Sequence, residues 1–133
     1  EALRTKLFPL AALITPNIPE AEAFTNRKIQ NLDQMHEAAS AMAENFGCPI
    51  LLKGGHLSGK TSIDVLHVSS ESFELTAPRM RGIKTHGTGC TYSAAITALL
   101  ARGATLRESI TLAKRFMSST IENYAIIGKH HVL

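Results

Sequence analysis

The chain has 133 residues, 44% of them hydrophobic and 19% charged, with a formal charge of +3, the size and balance of one globular domain. Its basic residues are scattered and only 5% of residues are aromatic, which argues against the concentrated basic face of a nucleic-acid binder. Two cysteines, Cys48 and Cys90, make no disulfide framework, and with no leader and no apolar run of about 20 residues the expectation is a cytoplasmic chain without a membrane span.

The first element expected is a buried strand of a parallel sheet at Leu10-Ala11-Ala12-Leu13-Ile14-Thr15, stopped by Pro16 and Pro19. Pro19-Glu20-Ala21-Glu22-Ala23-Phe24 then opens a short helix, with proline in its first turn and acids near its positive end. Asn31-Leu32-Asp33-Gln34 has the form of a capping box, and Met35, Ala38, Ala39, Met42 and Phe46 keep helical spacing up to Gly47. A second buried strand, Pro49-Ile50-Leu51-Leu52-Lys53, runs into the turn Gly54-Gly55. Residues 63–68 and 72–76 read as two short strands joined by Ser69-Ser70-Glu71. A helix from Cys90 to Arg102 ends at Gly103, and the capping box Thr105-Leu106-Arg107-Glu108 opens a last helix to about Ala125. This order of elements argues for an α/β layered domain.

Gly54-Gly55-His56-Leu57-Ser58-Gly59-Lys60-Thr61 fits the phosphate-loop pattern G-x-x-x-x-G-K-[ST] letter for letter. That motif needs a helix opening at its Lys-Thr, whose free amides hold the phosphates. Here Ser62-Ile63-Asp64-Val65-Leu66-His67-Val68 follows, alternating and β-branched, so the better expectation is a glycine turn leading into a hairpin. A narrower reading keeps Lys53-Gly54-Gly55-His56 as functional, with the lysine at a strand end facing phosphate.

Thr85-His86-Gly87-Thr88-Gly89-Cys90 has the chemistry that the first motif lacks. Two glycines let the backbone turn tightly and bring amides close to a charged group. Successive amides at a helix start form an anion hole for a transferring phosphoryl group. A thiol there has its thiolate favoured by the helix dipole and stands as a general base for a substrate hydroxyl. The alternative is a small buried filler on an apolar helix, the role expected for Cys48. His56 and His86 flank the two loops, His36 and His67 are expected on the surface, and His130-His131 is too sparse a pair to define a metal site.

Three segments occur in order: Thr15-Pro16-Asn17-Ile18-Pro19-Glu20-Ala21-Glu22, Leu52-Lys53-Gly54-Gly55-His56, and Thr85-His86-Gly87-Thr88-Gly89-Cys90-Thr91-Tyr92-Ser93-Ala94-Ala95. Together they resemble the hydroxymethylpyrimidine/phosphomethylpyrimidine kinases of thiamine biosynthesis, in the ribokinase-like superfamily, and pyridoxal kinases share part of the pattern. The resemblance implies a ribokinase-like three-layer α/β/α sandwich, of which residues 1–133 are the C-terminal portion and a single partial domain. It implies ATP-dependent phosphorylation of 4-amino-5-hydroxymethyl-2-methylpyrimidine and then of its monophosphate, with a pyridoxal kinase or a non-catalytic fragment as alternatives. By the same resemblance Cys90 is the catalytic base, and Gly87, Thr88 and Gly89 form the anion hole. Lys53, Gly54 and Gly55 approach nucleotide phosphates together with Thr88. Asn17 and Glu20 act on Mg2+ and phosphate, often through water; read from the residues alone, this pair is a helix cap.

Complete enzymes of the resembled family are about twice this length and carry an N-terminal Gly-rich segment over the pyrimidine, which nothing in this chain matches. The stretch Ile127-Gly128-Lys129-His130-His131 also departs from the family's usual ending. The expectation is therefore part of a longer protein, homodimeric when complete, whose partners are ATP and a small pyrimidine.

Overall fold

The computed structural model describes residues 2–55, 57, 59–79, 87–123, 125–127 and 130–132, the last two segments by their backbone only. His56, Ser58, Thr85, His86 and Gly128 lie outside the described residues. The chain divides into two compact units, Glu1–Thr76 and Ala77–Leu133.

In the first unit a π-helical turn, Leu3–Leu7, and a 3₁₀ turn, Phe8–Leu10, precede α1 (Ile18–Thr25), α2 (Leu32–Phe46), β1 (Ile50–Lys53), β2 (Thr61–Val68) and β3 (Glu71–Pro78), whose last two residues already count to the second unit. The sheet order is β1-β2-β3, with β1 and β2 antiparallel and Lys53 opposite Asp64 as the last pair of their register. The strand expected at residues 10–15 is replaced by the 3₁₀ turn and a short extended stretch. Pro9 in the first turn favours the helical start, and Leu10, expected to be buried, is 82% exposed. The expected parallel pairing is present at the end of that run and just past it. Ile14 bridges Ile50 and Asn17 bridges Lys53 in parallel, with Leu51 N–H donating to the Ile14 carbonyl and Lys53 N–H to the Pro16 carbonyl, both at 2.8 Å.

α2 buries Met35, Ala38, Ala39, Met42 and Phe46, the stripe that helical spacing predicts, and packs it on β1 and β2. Its cap is simpler than expected. Asn31 Oδ1 accepts from Gln34 N–H at 2.9 Å, but the Gln34 side chain accepts from Gln30 N–H rather than closing a box. Phe8, Phe24 and Phe46 meet with ring centroids 4.9 to 5.6 Å apart, and the Arg4 guanidinium lies over two of these rings while donating to the Phe24 carbonyl. Cys48 is buried, as expected of a small filler, and burial pushes its thiol up.

His67, expected on the surface, is only 8% exposed. Residues 64–67 are buried on both faces of β2, so alternation no longer marks a solvent side there. The His67 Nδ1 meets Ser72 Oγ at 2.8 Å across the hairpin. His36 is half-buried and its Nε2 lies 3.0 Å from a Glu74 carboxylate oxygen.

The second unit contains α3 (Thr88–Ala101) packed on α4 (Leu106–Glu122), and a hairpin of β4 (Ala125–Ile127) with β5 (His130–Val132). Thr105 and Glu108 form the expected capping box. α4 stops three residues earlier than expected, because Asn123 caps it by bonding the Ser119 carbonyl and the β-branched run after it pairs as a strand. Among the described residues no helix is long and apolar enough to cross a membrane.

Candidate active site

The first unit gathers Asn17, Glu20, Lys53 and Gly54. Asn17 has extended backbone and caps α1: its Oδ1 accepts from Glu20 N–H at 2.9 Å, and a Glu20 carboxylate oxygen accepts from Asn17 N–H at 2.7 Å. The capping reading of this pair therefore holds, and it does not exhaust the two side chains. Glu20 is exposed and its Oε1 is outside the box. The parallel bridge from Asn17 to Lys53 sets the capped helix start beside the end of β1.

Lys53 is half-buried at that strand end and makes no ion pair with any described residue. Gly54 follows, buried, and its N–H donates to Asp64 Oδ1 at 3.0 Å. A Cβ at Gly54 would run into the Ile63 carbonyl oxygen and stand 3.0 Å from the Met35 terminal methyl, so only glycine fits. Gly55 is exposed with open space around it. The turn closes through Leu57 N–H to the Gly54 carbonyl at 3.1 Å.

The phosphate-loop pattern at Gly54 to Thr61 fails structurally. Thr61 begins strand β2, not a helix, so no row of helical amides faces the motif.

Gly87, Thr88, Gly89 and Cys90 lie in the second unit, and they sit differently from the expectation. Thr88 and Gly89 belong to the first turn of α3 rather than to a loop before it, because Gly87 takes φ +87° and turns the chain directly into the helix. The helical ladder begins with Thr91 N–H donating to the Gly87 carbonyl at 2.8 Å, and Gly87, as the N-cap residue, brings no capping side chain. The amides of this first helical turn lie at the positive end of the helix dipole. Cys90, in the same turn, is exposed, which removes the reading of it as a buried filler.

Magnesium fits this donor set in one manner. Asn17 and Glu20 supply hard oxygens, but no described cluster of three or more His, Cys, Asp or Glu residues forms a cage. A cation that keeps several waters and shares nucleotide phosphates suits two such ligands. The residue that motif reading passed over is Asp64, 3% exposed. Its signal was a carboxylate inside the apolar run Ile63-Asp64-Val65-Leu66.

Comparison with known proteins bears on the whole chain. It matches the phosphomethylpyrimidine kinase family over residues 1–133. It is 43% identical to the thiamine biosynthesis bifunctional protein ThiED of Geobacter sulfurreducens, over 97% of this chain and 26% of that protein. It is 41% identical to the hydroxymethylpyrimidine/phosphomethylpyrimidine kinase of Haemophilus influenzae, over 98% of this chain and 50% of that enzyme. Among solved structures, an ADP complex of Bacillus subtilis pyridoxal kinase superposes with a TM-score of 0.91 at 34% identity, covering 98% of this chain and 52% of that one. The chain thus spans about half the length, or less, of the relatives it matches, and the fold it shares with them is the expected α/β ribokinase-like one.

Proposed function

The chain belongs to the phosphomethylpyrimidine kinase family, and we propose that it supplies the phosphoryl-transfer part of an ATP-dependent kinase acting on 4-amino-5-hydroxymethyl-2-methylpyrimidine and its monophosphate. The observation that carries this reading is the start of α3, where Gly87 at positive φ turns the chain into a helix whose first turn holds the exposed thiol of Cys90. In this reading Cys90 is the base that takes the proton of the substrate hydroxyl while that oxygen attacks the γ-phosphorus and the bond to the ADP leaving group breaks. The amides after Gly87, with Thr88, receive the charge on the transferring group. Lys53 and the Gly54-Gly55 turn meet the nucleotide phosphates, the lysine as a point charge. Asn17 and Glu20 would hold Mg2+ through water, and the ion when bound screens the phosphate charge. The non-catalytic alternative is disfavoured by the exposure of Cys90, which a merely packed cysteine does not need.

Incubation of the protein carrying this chain with ATP, Mg2+ and either the pyrimidine alcohol or its phosphate tests the reading; no phosphoryl transfer to either one sinks it. A second reading, pyridoxal kinase, is favoured by the close superposition on the Bacillus subtilis enzyme, and pyridoxal turnover well above pyrimidine turnover would establish it. Loss of turnover in Lys60→Ala with Cys90→Ala unaffected would return the role to the phosphate-loop pattern.

A further inference from the structure

We infer that Asp64 is a positioning residue for the nucleotide-binding turn, an inference that rests on the kinase reading above. Lys53 and Asp64 are the last opposed pair of β1 and β2, so their side chains leave the sheet on the same face. A lysine and an aspartate so placed would ordinarily pair. They do not: Lys53 makes no ion pair with a described residue, and the Asp64 carboxylate takes the Gly54 N–H at 3.0 Å. The lysine's charge is thereby not spent on Asp64 and is available to an anion, while one Asp64 carboxylate oxygen holds the Gly54 amide.

The turn is held from two sides. Asp64 Oδ1 anchors the Gly54 amide, and the Ile63 carbonyl fills the space where a Cβ would stand. Asp64 is only 3% exposed, and burying a carboxylate is costly unless hydrogen bonds to its charged form compensate. A hydrogen bond from an amide to a carboxylate is directional. It fixes the peptide between Lys53 and Gly54, and so fixes where the lysine stem and the exposed Gly55 begin. The turn is preorganised before phosphate arrives, and the ordering cost falls on folding rather than on binding.

Steady-state kinetics and thermal melting of the protein carrying this chain test the role, with wild type, Asp64→Ala, Asp64→Asn and Gly54→Ala compared. Asp64→Ala is expected to raise the KM for ATP about tenfold, as losing one charge-assisted hydrogen bond implies, and to leave the KM for the acceptor alcohol unchanged. Asp64→Asn keeps an acceptor oxygen in place and restores most of the ATP affinity. Gly54→Ala injures the same turn from its other side, so the double variant costs less than the two single effects multiplied. If Asp64→Ala does not fold, Asp64→Ser, whose shorter side chain fails to reach the Gly54 amide, is read in the same way. An unchanged KM for ATP in a folded variant overturns the inference. So does a rise shared equally by both substrates, which marks a purely structural role. A wild-type protein that phosphorylates neither the pyrimidine nor pyridoxal defeats the kinase reading and this role with it, and that outcome is seen before any substitution is made.

Discussion

Asn17 and Lys53, 36 positions apart in the chain, are parallel bridge partners, and the Lys53 N–H donates to the carbonyl of Pro16 at 2.8 Å. This single backbone contact puts the capped start of α1 next to the basic end of β1. A group that suits a wet cation and a group that suits phosphate are thereby placed side by side on one rigid element pair.

Cys90 is exposed in the first turn of α3, so its side chain does little for stability. Cys90→Ala is expected to lower turnover by at least about 100-fold, the usual worth of a positioned general base. The melting temperature should stay near that of the wild type. A variant with full turnover would remove Cys90 from the chemistry.

The cap formed by Asn17 and Glu20 and their proposed role at Mg2+ separate by substitution. Glu20→Gln keeps a capping-box side chain, so the fold should hold while the Mg2+ concentration needed for half-maximal rate rises. Asn17→Ala breaks the cap as well and should cost about 1 kcal/mol of stability. Urea denaturation and a Mg2+ titration of the rate, run on both variants, read the two effects apart.

The β2–β3 turn is carried by two serines at positive φ, Ser69 at +52° and Ser70 at +69°. Both central positions of such a turn favour Asn-Gly. Replacing Ser69-Ser70 by Asn-Gly should stabilise the protein by about 0.5–1 kcal/mol, read as a higher urea midpoint at unchanged slope.

Two carboxyls are held below the ordinary value of 4.5: Glu22 by the Ile29 N–H and then Lys28, and Glu108 by the Thr105 hydroxyl and amide. A depressed folded value means that their stabilisation is complete above pH 4.5 and is lost as pH falls through the folded value. Glu22→Gln with Glu108→Gln should therefore lower stability modestly at neutral pH, leave it little changed at low pH, and so flatten the acid limb of a stability-versus-pH curve. An unaltered acid limb would show that these bonds do not control it.

The sequence alone determined whatever depends on neighbours three or four residues apart. The Met35 to Phe46 stripe, the Thr105–Glu108 capping box, a turn within Ser69-Ser70-Glu71 and the strand character of residues 63–68 all follow from local periodicity, capping chemistry and turn residues, though β2 starts two residues earlier and β3 one residue earlier than expected. The same local signals separated the Cys90 turn from the better-spelled phosphate-loop pattern. Register and packing across distant segments belonged to the tertiary structure. They turned the start of the apolar run into a 3₁₀ turn that leaves Leu10 exposed, buried His67 in a strand covered on both faces, and drew Thr88 and Gly89 into α3. They also joined Asn17 to Lys53 and gave the Asp64 carboxylate to the Gly54 amide. Those last contacts depend on which strand meets which and in what register, and no short window of residues holds that information.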